Sequence, residues 1–193
     1  MRGKPLNTLA AIEEKNYRKI SGNKVIESVV NVVGMNLGLK EQKNINFENI
    51  VIATDSDVDG YHIFALIFAF IHEFGLNIIE EGKLFRLVTP LFVIKRKGKI
   101  EKLLYTLGEY NTFIKNNDMK GFDYKYYKGL GSWKQNDLET VVEFEGGIEK
   151  MIQKIEYDKD AKETFYSWMS KLESNVDKRK DALKLRAFDI NSL

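Results

Sequence analysis

The chain has no cysteine, two prolines and two histidines. Without a thiol, disulfide frameworks, zinc knuckles and thiol nucleophiles are excluded. The histidines, His62 and His72, lack the i,i+4 spacing of a helical metal pair. Neither sign of charge dominates: 30 basic residues oppose 28 acidic ones, for a net charge of +2 over 193 residues. This balance excludes a polyanionic disordered tail, so any contact with nucleic acid must come from local patches. The longest apolar run, residues 61–71, is about half of the ~20 residues a membrane helix needs. The opening Met1-Arg-Gly-Lys-Pro leads into no apolar signal segment. These absences lead us to expect a soluble, cytoplasmic protein. What the chain does have is 44% apolar residues, enough for the core of a domain of ordinary size.

Residues 1–22 read as a loop plus a helix. Asn23 can cap an amphipathic helix in which Ile26, Val29, Val30 and Val33 share a face, with Gly34 or Gly38 as its stop. Residues 49–55 read as a buried strand ending in an acidic cluster. A helix from Gly60 to about Phe74, apolar nearly all round, should be buried. Strand, acidic turn and buried helix form the local grammar of a parallel α/β sheet, whose sites lie at strand C-termini. Residues 83–105 read as a β-hairpin turning at Lys97-Gly98, residues 107–116 as a helix and 122–127 as a strand. The remainder is mostly helical, with candidates at 135–143, 159–172 and 175–187. Gly146-Gly147 is the best boundary signal and separates residues 1–145 from a helical extension, 146–193.

The sharpest chemical feature is Asp55-Ser-Asp57-Val-Asp59-Gly60. Two like charges about 4 Å apart cost about 4 kcal/mol at an effective dielectric of about 20. Solvation, protonation or a bound cation must relieve that repulsion. In an extended segment the three carboxylates would point to one side, and oxygen-only ligands favour magnesium or manganese. The structural alternative is an acidic turn in which Asp57 or Asp59 caps the next helix. An EF-hand is excluded because Leu66 stands where its twelfth-position Glu would be. An aspartyl-phosphate site is disfavoured by Asp59, where Thr or Val is wanted. Lys128-Gly129-Leu130-Gly131-Ser132 can bring backbone close to a phosphate, or can simply turn a strand into a helix. No P-loop is present. Arg2-Gly3-Lys4-Pro5-Leu6-Asn7 is a basic turn. The run from Lys95 to Lys99 is either a solvated face or a phosphate-tracking patch. His62 reads as a satisfied core histidine, and Tyr126, Tyr127 and Trp133 as packing residues.

In order, Arg-Gly-Lys-Pro-Leu-Asn, Thr-Asp-Ser-Asp-Val-Asp-Gly-Tyr-His-Ile, Thr89-Pro90-Leu91 and Tyr126-Tyr-Lys-Gly-Leu-Gly-Ser resemble the TOPRIM half of a type IIA DNA topoisomerase. Asp177-Lys-Arg-Lys-Asp-Ala-Leu is similar to the helix that closes this region in the eukaryotic and phage branch. The resemblance covers residues 1–187. It implies an α/β TOPRIM fold, a Rossmann-like parallel sheet with a β-hairpin insertion and a helical C-terminal tail. It further implies Asp55 and Asp57 as magnesium ligands and Asp59 as an auxiliary catalytic carboxylate. Arg2, Lys4, Asn7, Lys128, Gly129 and Gly131 match DNA-contacting or site-supporting positions.

The family's Glu-Gly-Asp-Ser-Ala strand, whose Glu is a further metal ligand, does not occur in this sequence, so the sheet is expected to miss its first strand. That pattern is similar to the split enzyme of T-even-type bacteriophages, of which this chain resembles the C-terminal piece of the broken large subunit. The implied partners are DNA, a large subunit carrying the ATPase domain and the missing strand, and a subunit carrying the catalytic tyrosine. ATP would be bound by a partner. Two alternatives stand beside this one. A stand-alone TOPRIM nuclease or primase-like enzyme would need its own upstream glutamate, and Glu13, Glu14, Glu27, Glu41 and Glu48 all lack a strand-end setting. A non-catalytic assembly or DNA-binding module would leave the Asp triplet without a role.

Overall fold

The computed structural model describes residues 4–173 and 175–181. In chain order its elements are α1 (Thr8–Glu13), α2 (Tyr17–Ser21), α3 (Lys24–Val33), β1 (Ile50–Ala53), α4 (Val58–Phe74), α5 (Leu76–Glu80), β2 (Leu84–Leu87), β3 (Phe92–Arg96), β4 (Lys99–Leu104), α6 (Leu107–Asn116), β5 (Phe122–Tyr126), α7 (Gln135–Glu145), β6 (Ile152–Lys154) and α8 (Lys159–Met169). The mixed α/β fold is the class expected. The chain divides into two compact units, one holding residues up to 50, 65–83 and 155 onward, the other 51–64 and 84–154. Among the described residues, no helix is long and apolar enough to cross a membrane.

The first unit is helical, and asparagine side chains start its first helices. Asn7 Oδ1 accepts from Ala10 N (3.1 Å), Asn16 Oδ1 from Lys19 N (3.2 Å), and Asn23 Oδ1 from Val25 N and Ile26 N. Each cap satisfies N–H groups that a helix leaves open at its first turn. Gly34 ends α3 at φ +80, the left-handed conformation glycine adopts without penalty. The second half of α4 carries the core residues Leu66, Ile67, Ala69, Phe70 and Ile71. Its first turn does not match the expectation of a wholly buried helix: Val58 is 85% exposed, and Tyr61 and His62 are also exposed. Apolar composition all round the helix therefore produces burial only from about residue 65 onward.

The core histidine is accordingly His72 and not His62. His72 is buried, with Nδ1 2.7 Å from Glu73 Oε1 and Nε2 2.5 Å from the Tyr157 hydroxyl. The Phe165 ring lies 4.2 Å from it, centroid to centroid.

The second unit contains two three-stranded sheets, ordered β1-β2-β6 and β4-β3-β5. β2–β6, β3–β4 and β3–β5 all pair antiparallel. β3 and β4 form the hairpin, turning where Lys97 (φ 50) and Gly98 (φ 79) both take positive φ, as a tight two-residue turn requires. Leu84–Leu87, expected in that hairpin, belongs to the other sheet.

β3 is the central strand, and both of its faces are covered. Val93 packs with Leu103, Tyr127, Val141 and Met151. Phe92 and Ile94 face the other way, with Leu91, Leu104, Tyr110, Phe113 and Phe122. The strand period of two explains this alternation. α6 opens with a capping box between Thr106 and Glu109. Gly146-Gly147 lies within this unit, where Gly146 (φ +86) caps α7. β1 exposes Val51 and Ala53 and buries only Ile52, so it is an outer strand and not the buried one expected.

α8 ends at Met169, and residues 175–181 are helical. The rest of the expected 175–187 helix lies outside the described residues.

Two outcomes follow from this packing. Ile94→Ala, at a fully buried position, should cost about 2–5 kcal/mol of stability in urea denaturation; a loss below 1 kcal/mol would show that the site collapses around the cavity. Burial above all, with Tyr166, Glu80 and Glu73 adding to it, pushes the Tyr157 hydroxyl up to about 12. An unfolded tyrosine ionises near 10. Between those values the unfolded state binds fewer protons, so this contribution is intact below pH ~10 and is lost as pH rises toward about 12. Tyr157→Phe should flatten that part of the alkaline stability profile, and an unchanged profile would rule the contribution out.

Candidate functional site

β1 delivers the acidic loop at its C-terminal end, and each residue of the loop is held separately. Asp55 Oδ1 accepts from Leu130 N at 2.7 Å. Ser56 Oγ donates to the buried Thr89 carbonyl at 2.8 Å and lies 2.9 Å from Thr89 Oγ1. Asp57 Oδ1 accepts from Gly60 N at 2.8 Å, and Tyr61 N donates to Asp57 O, which starts α4. Asp59 is exposed in the first turn of that helix.

The loop is therefore not extended, and the expectation of three carboxylates pointing one way is corrected. Among the described residues, no three His, Cys, Asp or Glu side chains gather as a metal site. Backbone N–H groups at Leu130 and Gly60 relieve the charge on two of the carboxylates.

The Lys-Gly-Leu-Gly loop supports this arrangement through its backbone. A Cβ at Gly129 would lie 2.6 Å from Asp55 Oδ2 and 2.7 Å from its Cγ, so any larger residue would displace the carboxylate. A Cβ at Gly60 would lie 1.9 Å from the Asp55 carbonyl oxygen. Glycine is required at both positions because of close approach. Gly131 faces open space, and Lys128 is exposed. Ser132 Oγ donates to Gly129 O at 2.5 Å and tightens the turn. Behind it Trp133 stacks on the buried Tyr127, with centroids 3.6 Å apart and planes 8° off parallel.

A hard cation fits the donor set. Asp55 and Asp57 are half-buried, each commits Oδ1 to a backbone N–H, and Oδ2 of each has no hydrogen-bond partner among the described residues. Magnesium typically takes one or two carboxylates and completes its shell with water and phosphate oxygens.

The remaining expected residues lie in the first unit or outside the description. Lys4 is exposed. Asn7 uses its side chain internally, with Oδ1 capping α1 and Nδ2 donating to Met169 O at 3.0 Å. Arg2 lies outside the described residues. Sequence reading missed Thr89 and the Leu130 N–H as supports of the acidic loop. The Thr-Pro pair after β2 was the available signal for Thr89; a backbone donor leaves none.

A model of the family described as "C-terminal associated domain of TOPRIM" matches residues 87–190. The DNA topoisomerase 2 of Acanthamoeba polyphaga mimivirus is 37% identical over 139 residues, which cover 68% of this chain and 11% of that protein. The DNA topoisomerase 2 of Plasmodium falciparum is 31% identical over 136 residues, covering 68% of this chain and 9% of its own length. The chain thus spans only about a tenth of these relatives. Among solved structures, the DNA-binding, cleavage and re-ligation domain of Plasmodium falciparum topoisomerase II superposes with a TM-score of 0.75 at 25% identity, over 93% of this chain and 24% of that one. With a family model spanning more than half of its length and a shared fold, the chain belongs to the TOPRIM region of the type IIA DNA topoisomerases.

Proposed function

We propose that this chain supplies the Asp-x-Asp part of the magnesium-dependent DNA cleavage and re-ligation site of an ATP-dependent type II topoisomerase, as one subunit of a multi-subunit enzyme. The clamp on Asp55 carries this reading: a carboxylate at a strand end, held by the backbone of the Lys-Gly-Leu-Gly loop. Asp55 and Asp57 would hold the ion. Bound there, magnesium supplies positive charge against the scissile phosphate and the leaving 3′ oxygen.

The chain's own residues do the rest. Leu130 N–H and Gly60 N–H orient the two carboxylates. Ser56 and Thr89 hold the loop between them to the end of β2. Asp59 adds negative charge at the start of α4. Lys128, Lys4 and Arg2 are proposed to meet DNA, while Asn7 orders the segment by capping α1. The attacking tyrosine and the ATP site belong to partner subunits.

The third carboxylate of the site would come from a Glu-Gly-Asp-Ser-Ala strand on the large subunit. Two observations support this: no third acidic ligand gathers here among the described residues, and β1 is the outer strand of its sheet with Val51 exposed. An open strand edge of this kind invites pairing by another chain. Such an enzyme would act in the cytoplasm, that of a host if the chain is viral.

Two mutational tests bear on the site. Asp57→Asn keeps an acceptor for Gly60 N–H but removes the charge, so co-purification with the partner subunits should persist while DNA cleavage falls at least 100-fold. Cleavage at the wild-type rate would overturn the assignment. Gly129→Ala should shift the Asp55 carboxylate by a sizeable fraction of an ångström and reduce cleavage by about 10- to 100-fold. Gly131→Ala, in open space, should leave it within about twofold. Equal effects at the two glycines would mean that close approach to Asp55 is not their basis. Magnesium-dependent nicking by this chain alone, without ATP, would point instead to an autonomous TOPRIM enzyme.

A further inference from the structure

The first unit joins two motifs at opposite ends of the sequence. A helix leaves its last carbonyls without intrahelical donors, and α8 has its final ones closed by side chains from both ends of the chain. Arg179 Nη1 donates to Ser167 O at 2.8 Å and to Ser170 O at 2.7 Å. Asn7 Nδ2 donates to the carbonyl between them, Met169 O, at 3.0 Å. Ser170 is 1% exposed, and its Oγ accepts from Leu172 N.

At the next residue, Lys171 N donates to Glu13 Oε2 at 2.8 Å, and Lys171 Nζ pairs with Glu14 Oε1 at 2.9 Å. Asn7 caps the start of α1, while Glu13 and Glu14 stand at its end. Both ends of α1 are thus attached to residues 169–171. A helix of six residues cannot stand alone in water, so its direction is set by what it is tied to. Pro5, just before it, is buried, and Lys4 is exposed.

We propose that Arg179 is a positioning residue: by closing the end of α8 it fixes the 167–171 turn on which α1 is laid, and so sets how the preceding Lys4-Pro5 segment is presented to DNA. This rests on the reading above that the Arg-Gly-Lys-Pro-Leu-Asn segment meets DNA. The guanidinium faces carbonyl oxygens, so Arg179 works here through structure rather than as a phosphate clamp. Arg suits this role because both bonds leave one nitrogen whose two hydrogens are fixed in the guanidinium plane, so less freedom is lost than for a lysine ammonium.

The test uses the assembled enzyme and a short DNA duplex. Arg179→Met should raise the DNA Kd about tenfold and make the plot of log K against log salt shallower by about one phosphate contact. The single-turnover cleavage rate at saturating DNA should stay within about twofold. Arg179→Lys should recover part of the affinity. Glu13→Ala, which frees the other end of α1, should weaken binding in the same direction, and the Glu13→Ala/Arg179→Met pair should be less than additive because both act through one turn. If Arg179→Met does not fold, Arg179→Lys and Glu13→Ala carry the test. Wild-type affinity and salt slope in these variants would overturn the proposal, as would strict additivity. Asp57→Asn, assayed alongside, separates the two levels. If Asp57→Asn cleaves normally, the cleavage-site reading itself fails; if it is inactive while the Arg179 variants bind normally, only the positioning role fails. An assembly that binds no DNA overturns both.

Discussion

The Asp55 carboxylate has almost no room to move. The Gly60 Cα presses on its main-chain carbonyl, the Gly129 Cα presses on its side chain, and the Leu130 N–H holds one oxygen. A methyl group at Gly129 would displace the carboxylate, and one at Gly60 would displace the main chain that carries it. The second unit is arranged to keep these three points together. β1 brings Asp55 to a strand end, α4 begins within one turn of it, and β5 leads into the glycine loop. The Tyr127–Trp133 stack, packed on the core with Val93 and Val141, fixes where that loop begins and ends.

The same arrangement resolves an electrostatic conflict. Three aspartates in five residues would repel strongly if they shared a face. The chain avoids this by turning directly into a helix, which sends Asp59 into the exposed first turn and gives Asp57 a cap to make. Two carboxylates remain, each with one oxygen on a backbone donor. Half of each carboxylate is thereby committed to the fold, and the other oxygen has no hydrogen-bond partner among the described residues. This division explains why two roles that sequence reading set against each other, helix cap and ligand, are compatible at Asp57.

Much of the fold was legible because local rules and tertiary packing agree. The Asn23 cap and Gly34 stop, the helix at 107–116, the Lys97-Gly98 turn and the strand at 122–126 lie where their patterns place them. The failures have physical causes. Leu84–Leu87 and the strand after it carry the same apolar signature, and only pairing partners far away in sequence decide that they join different sheets. His62 and His72 sit on one apolar helix, and periodicity cannot say at which turn that helix enters the core. At the site, the glycine loop reads either as a close approach to a phosphate or as a strand-to-helix turn, and it does join β5 to α7. In this structure the nearest group is a carboxylate of the same chain. Asn7 shows the converse: a residue singled out for outward contact spends its hydrogen bonds inward, on α1 and Met169.

The first unit is also discontinuous, and this affects how it can be made. The residues that tie α1 down, 169–171 and Arg179, leave the ribosome more than 150 positions after it. At about 5–20 residues per second, the interval is roughly 10–30 s. During that time Leu9, Ala10 and Ala11, buried in the finished protein, have no lasting cover from the segment that will hold them. The second unit, complete by residue 154, can close first. Synthesis therefore runs against the usual N-to-C order of folding: α1, made before the second unit, is secured after it, and loss of the segment around Arg179 should be felt at α1.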